Sequence, residues 1–193
     1  MSAHDYTVVG STEHHRGPVI TLRTDEVRMP DGGTARRDVV AHPGAVGVVA
    51  LDDEGRVVLL RQYRHPVGRH LWELPAGLRD VGGEPPVETA RRELAEEAGL
   101  RADHIEHLVT ALSSPGMSDE RIVIYLARGL APIPAAERSE LVHEETDLIV
   151  ERVDLAAACE RIAAGEIENA MAVIGLLAAA RRLGRQPEPP RAS

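Results

Sequence analysis

An acidic segment stands out in the chain and reads Arg92-Glu93-Leu94-Ala95-Glu96-Glu97-Ala98-Gly99. Two prolines precede it and a glycine ends it, which predicts a helix over 86–98. In such a helix Glu93, Glu96 and Glu97 stand at i, i+3 and i+4 and share one face. Like charges at these spacings repel each other, and a divalent cation would relieve the repulsion. An ordinary solvated helix with surface ion pairs is the alternative interpretation.

A glycine-rich stretch leads into this helix. It contains Leu74-Pro75-Ala76-Gly77, typical of a strand end, followed by Val81-Gly82-Gly83-Glu84. With the acidic segment, these residues resemble the signature of the Nudix hydrolases: glycine, five residues, glutamate, seven residues, then Arg-Glu-aliphatic-x-Glu-Glu-x-Gly-aliphatic. Gly77, Glu84 and residues 92–100 match, although six residues rather than five separate Gly77 from Glu84. The extra residue falls in the loop, so it leaves the register of the three glutamates unchanged.

The resemblance implies a Mg²⁺ site, with Mn²⁺ as an alternative ion. It implies that Glu93 and Glu97 are direct ligands and that Glu96 is a ligand or a water-mediated partner. The backbone carbonyl of Ala76 would be a further ligand, and Arg92 would orient the carboxylates. Oxygen ligands of this kind suit Mg²⁺, which shares its coordination between one or two carboxylates and substrate phosphates.

Over residues 20–183 the chain is most similar to the ADP-ribose pyrophosphatase branch of this family. The likeness rests on Ser114-Pro115-Gly116, on Arg61-Gln62-Tyr63-Arg64 with 72–77, and on Gly165-Glu166-Ile167-Glu168-Asn169-Ala170. It implies hydrolysis of ADP-ribose to AMP and ribose 5-phosphate. Two alternatives stay open: another nucleoside diphosphate derivative, such as a nucleotide sugar or a dinucleotide, and a module that binds ADP-ribose without cleaving it.

The same resemblance implies a set of residues that contact the substrate: Arg37, Arg64, Pro115, Gly116 and Glu120. A guanidinium binds phosphate through two parallel hydrogen bonds, so Arg64 at a strand end is a candidate fork for the diphosphate.

The catalytic base is expected on the acidic loop His143-Glu144-Glu145-Thr146-Asp147. Loops on rigid scaffolds often carry groups that act on water. By resemblance to the branch, Glu144 aligns best with the base, and Glu145 is the near alternative.

The amino-acid composition excludes several classes of chemistry and disfavours some classes of partner. All 22 basic residues other than histidine are arginine, which excludes a Walker-type phosphate loop and Schiff-base chemistry, because both need lysine. The single cysteine, Cys159, excludes an intramolecular disulfide and suits a reducing cytoplasm. A net charge of −9 disfavours nucleic acid and anionic membranes as partners, so we expect a small nucleoside diphosphate derivative.

The 193 residues suggest one compact domain, or one domain plus a small appendage. The resemblance implies the Nudix fold, an α/β (α+β) fold with a mixed β-sheet between helices. We expect a small antiparallel β extension over 1–42, the Nudix hydrolase domain over 43–183 and a disordered tail over 184–193. By resemblance, the extension exchanges between the subunits of a homodimer.

Apolar runs and turn residues predict individual elements. A Pro30-Asp31-Gly32-Gly33 turn should join two strands of the extension, 19–27 and 37–40. Strands at 45–51 and 56–63 should form a hairpin in the main core. Further strands are expected at 105–113, 121–128 and 147–153, and further helices at 155–164 and 168–183.

Overall fold

The computed structural model describes residues 6–137 and 148–184, which form two compact units. The expected tail over 184–193 lies outside the described residues except for Gly184, so its disorder stays a prediction. In the described part of the chain, no helix combines the length and the apolar character that crossing a membrane requires.

The first unit contains the described residues up to Gly44 together with Leu112–Arg121. Its antiparallel sheet has the order β1-β2-β3, with β1 at Thr7–Arg16, β2 at Thr21–Arg28 and β3 at Thr34–Ala41. The turn expected between the last two strands is confirmed, and Gly33 N–H donates to Asp31 Oδ1 at 2.9 Å within it. Strand β1 was not predicted from the sequence, because a polar strand with few buried residues lacks the alternation by which strands are recognised.

The second unit contains two sheets. A four-stranded sheet has the order β7-β4-β9-β8, and a three-stranded sheet has the order β10-β5-β6. Strand β4 pairs parallel with β9 and antiparallel with β7, which confirms the expected mixed sheet. The strands are β4 (Ala45–Ala50), β5 (Arg56–Arg64), β6 (Arg69–Glu73), β7 (Ala76–Leu78), β8 (Leu100–Leu112), β9 (Arg121–Pro132) and β10 (Ile149–Asp154).

The predicted hairpin of 45–51 with 56–63 is wrong. Strands β4 and β5 belong to different sheets, and a single bridge between Leu51 and Val57 is the pairing recorded where they meet. Every residue of β4 is buried, as in a central strand covered on both faces. Two apolar runs around a polar turn have the same pattern whether they pair with each other or with other strands.

Two of the three helices cover the faces of the four-stranded sheet. The helices are α1 (Pro86–Ala98), α2 (Leu155–Ala163) and α3 (Ala170–Arg182). On one face, Val46 and Val48 pack with Leu94 of α1. On the other face, Val49 packs with Leu176 of α3, whereas α2 contacts β5 and β10 of the three-stranded sheet. The expected sheet between helices is therefore confirmed.

Candidate active site

Helix α1 buries part of its acidic face. It begins after two prolines and ends at Gly99, which adopts the left-handed conformation (φ 62°) and donates its N–H to the carbonyl of Ala95. Glu93 and Glu97 are only 8% and 9% exposed. Side chains at i and i+4 lie one turn apart, so two carboxylates meet the same neighbouring strand.

That neighbouring strand is β7, and Glu97 is bonded to it. The backbone N–H of Ala76 donates to Glu97 Oε2 at 2.8 Å. The sequence analysis assigned a metal-binding role to the carbonyl of Ala76, and the structure adds that its N–H fixes one of the two buried carboxylates. A hydrogen bond to an ionised carboxylate is short and about twice as strong as a neutral one.

Glu93 lies directly against Gly77. A Cβ atom added at Gly77 would overlap the carboxylate and the Cγ of Glu93. The glycine at this point of the motif is therefore required by close approach, because only a residue without a side chain leaves room for Glu93.

Arg92 connects the acids of the site. Its guanidinium lies 2.7 Å from Glu93, 3.0 Å from Glu96 and 3.5 Å from Glu84. Burial opposes its charge, but the negative charge of Glu93 and the bonds to Glu84 and Glu96 outweigh that effect and raise the pKa of Arg92. The hydroxyl of Thr89 donates to Glu84 at 2.8 Å, which together with Arg92 lowers the pKa of Glu84. Arg92 and Glu84 therefore stay ionised at neutral pH.

Arg64 is paired with a carboxylate that the sequence analysis missed. Its Nε and one terminal nitrogen donate to the two oxygens of Glu73 at 2.8 and 2.6 Å. Glu73 is a buried acid at the end of β6. The sequence did contain a signal for this ion pair. Glu73 directly precedes the apolar residues Leu74-Pro75, and a charged side chain at a buried position needs a partner.

The other expected substrate contacts lie in the first unit. Arg37 is exposed and donates to the carbonyl of Arg36, and Pro115 and Gly116 are exposed between β8 and β9. Glu120 accepts a hydrogen bond from the hydroxyl of Ser113, and one of its oxygens lies 3.6 Å from Nδ1 of His42. These contacts hold Glu120 within its own unit.

The expected base, Glu144, and its alternative, Glu145, lie outside the described residues. Their roles stay predictions.

The acids of α1 suit a hard cation. Within residues 6–137 and 148–184, no group of three or more His, Cys, Asp or Glu side chains is arranged to hold a metal ion. Glu93 and Glu97 nevertheless provide two buried carboxylates on one helix, and Mg²⁺ commonly takes one or two carboxylates and completes its coordination with water and substrate phosphates. The donor set fits an ion shared with a phosphorylated ligand.

The chain matches a known protein family and two proteins of known name. The NUDIX domain family matches residues 41–145. A Mycobacterium tuberculosis protein named ADP-ribose pyrophosphatase is 48% identical over 178 residues, which cover 92% of this chain and 84% of that protein. A Bacillus subtilis protein of the same name is 34% identical over 170 residues, covering 88% of this chain and 90% of that protein.

A solved structure has a similar fold. It is described as a crystal structure of ADP compounds hydrolase and matches with a TM-score of 0.78 at 22% sequence identity, covering 96% of this chain and 100% of that chain. The family match takes in more than half of the 193 residues, including the motif from Gly77 to Leu100. The chain therefore belongs to the NUDIX domain family, which confirms its resemblance to the Nudix hydrolases.

Proposed function

We propose that this protein hydrolyses the diphosphate of ADP-ribose to AMP and ribose 5-phosphate, using Mg²⁺ or, as an alternative ion, Mn²⁺. The observation that carries the proposal is the 48% identity over 178 residues with a protein named ADP-ribose pyrophosphatase. All acids of the motif are present in this chain, and two of them are buried beside Ala76 and Gly77 of β7. A module that binds without cleaving would not need them, so catalysis is favoured.

In this proposal the carboxylates of Glu93 and Glu97 bind the ion, and Glu96 binds it directly or through water. The carbonyl of Ala76 is a further ligand, and Arg92 keeps the carboxylates in place through its ion pairs. The chemistry supplied by a bound divalent ion is neutralisation of the charge that develops on the diphosphate. The protein's own contribution is to orient the acids.

Five residues are proposed to contact the substrate. Arg64 would bind the diphosphate, and Arg37 would reach the substrate from the exchanged extension of the other subunit in a homodimer. The remaining contacts are proposed at Pro115, Gly116 and Glu120. We also propose that the protein works in the cytoplasm. We propose that it does not bind nucleic acid or membranes, because its net charge is −9.

The homodimer is supported by the exposure of β1. All but one of its ten residues are exposed, and these include the apolar residues Val8 and Val9. We expect the full-length protein to sediment as a dimer at micromolar concentration, and a variant lacking residues 1–40 to sediment as a monomer with weakened substrate affinity. A fully active wild-type monomer would rule out the exchanged dimer.

The base is tested by Glu144→Gln. If Glu144 acts on water and not on the metal, kcat should fall while the affinities for Mg²⁺ and substrate stay nearly unchanged, the pattern of an interaction made in the transition state. Calorimetric titration of Mg²⁺ in the presence of a non-hydrolysable ADP-ribose analogue measures the affinities. A large loss of Mg²⁺ affinity would make Glu144 a ligand, whereas unaltered catalysis would transfer the role to Glu145.

The substrate is tested by comparing kcat/KM for ADP-ribose, a nucleotide sugar and a dinucleotide under saturating Mg²⁺. We expect the highest value for ADP-ribose. A higher value for either of the others would keep the hydrolytic chemistry and reject ADP-ribose as the preferred substrate.

A further inference from the structure

Arg64 and Glu73 form a two-point ion pair in which the acid is buried and the base is not. Both bonds are short, at 2.8 and 2.6 Å. The side chain of Glu73 is 4% exposed and that of Arg64 is 44% exposed. Two parallel bonds fix the plane of a guanidinium as well as its position, so Glu73 determines how Arg64 is presented to solvent.

The strand register shows how strongly the pair constrains the arginine. Leu60 is the residue directly opposite Glu73, so Arg64 lies four positions further along β5 and on the same face of the sheet. Four residues of strand span about 13 Å. Arg64 must therefore extend back along the sheet to reach Glu73.

Glu73 also belongs to the backbone that forms the acidic site. It is the last residue of β6, and Leu74 and Pro75 alone separate it from Ala76. The N–H of Ala76 binds Glu97, and the next residue, Gly77, packs against Glu93. One short stretch of chain thus holds Arg64 at one end and the acids of α1 at the other.

We propose that Glu73 is a positioning residue, which holds the guanidinium of Arg64 in the orientation that receives the diphosphate of the substrate. The inference rests on the proposed function. Glu73 has two opposing effects on an anionic ligand, since its charge repels a diphosphate while its bonds remove the entropy cost of ordering Arg64 on binding. The orienting effect outweighs the repulsion, because the negative charge of Glu73 is already paired with the positive charge of Arg64.

A double-mutant cycle tests this with Glu73→Gln, Arg64→Lys and the combined variant. Arg64→Lys keeps a cation beside Glu73, which protects the fold, but lysine cannot form the fork. Glu73→Gln should raise KM for ADP-ribose about tenfold with kcat nearly unchanged, as expected for lost ground-state binding. In the Arg64→Lys background the same change should add less than about threefold, because residues that act through each other are not additive.

Two results would overturn the proposal: an equal rise in KM in both backgrounds, which would mean that Glu73 acts independently of Arg64, or an unchanged or lower KM for Glu73→Gln. Glu168→Gln is the matched control, since Glu168 pairs with Arg69 of β6 in an exposed ion pair, and it should leave KM unchanged. Thermal unfolding of each variant separates loss of fold from loss of binding. If the wild type hydrolyses no diphosphate, the proposed function fails, and the same cycle measured as affinity for a non-hydrolysable ADP-ribose analogue still decides the role of Glu73.

Discussion

Glu97→Gln is expected to lower kcat by about 10³-fold or more, which corresponds to roughly 4 kcal/mol of lost transition-state stabilisation. Glutamine keeps the size of the side chain and a carbonyl oxygen that can accept the bond from Ala76 N–H. It removes the negative charge that would hold the cation. The fold should therefore persist while turnover at saturating Mg²⁺ is lost.

The control for this variant lies on the same helix. Glu88 is exposed and makes a long ion pair of 3.7 Å with Arg91. Glu88→Gln should leave both kcat and the melting temperature close to those of the wild type. Wild-type turnover of the Glu97→Gln variant at saturating Mg²⁺ would remove Glu97 from the metal site.

Gly77→Ala is expected to reduce kcat nearly as much as loss of the Glu93 carboxylate. The added methyl group would occupy the space of that carboxylate, and the atoms it meets belong to the end of a flexible side chain. Glu93 can therefore move aside while the backbone stays in place. We expect a modest loss of thermal stability and a large loss of catalysis, measured by thermal unfolding and by steady-state kinetics.

Two further variants make this prediction specific. Gly82 lies in the loop that follows β7, and a Cβ added there meets nothing within 4 Å, so Gly82→Ala should be nearly silent. Adding Glu93→Gln to Gly77→Ala should cause little further loss, because both changes remove the same group from the site. Multiplied losses in the double variant would show that Gly77 acts through something other than Glu93.

The sequence predicted α1 with its observed bounds, Pro86–Ala98, because proline and glycine mark both ends chemically. It also predicted that Arg92 meets the glutamates, which the ion pairs of Arg92 reproduce. It placed Glu93 and Glu97 on one shared face of the helix, but it did not predict that β7 covers them. Helical spacing identifies a shared face but not which strand packs against it.

Other features depended on tertiary structure. Glu73 and Arg64 lie nine positions apart in the sequence, on two neighbouring strands, and no spacing rule predicts their pairing. The separation of β4 from β5 into two sheets follows from the pairing of β4 with β9, more than seventy residues later. Local patterns identify strands, but the choice of partner depends on the packing of the whole core.

The most direct test of the central claim is product analysis after incubation of the wild-type protein with ADP-ribose and Mg²⁺. Hydrolysis at the diphosphate should give equal amounts of AMP and ribose 5-phosphate, and a chelator should abolish both products. Formation of ADP and free ribose, or absence of turnover with Mg²⁺ and with Mn²⁺, would contradict the proposal.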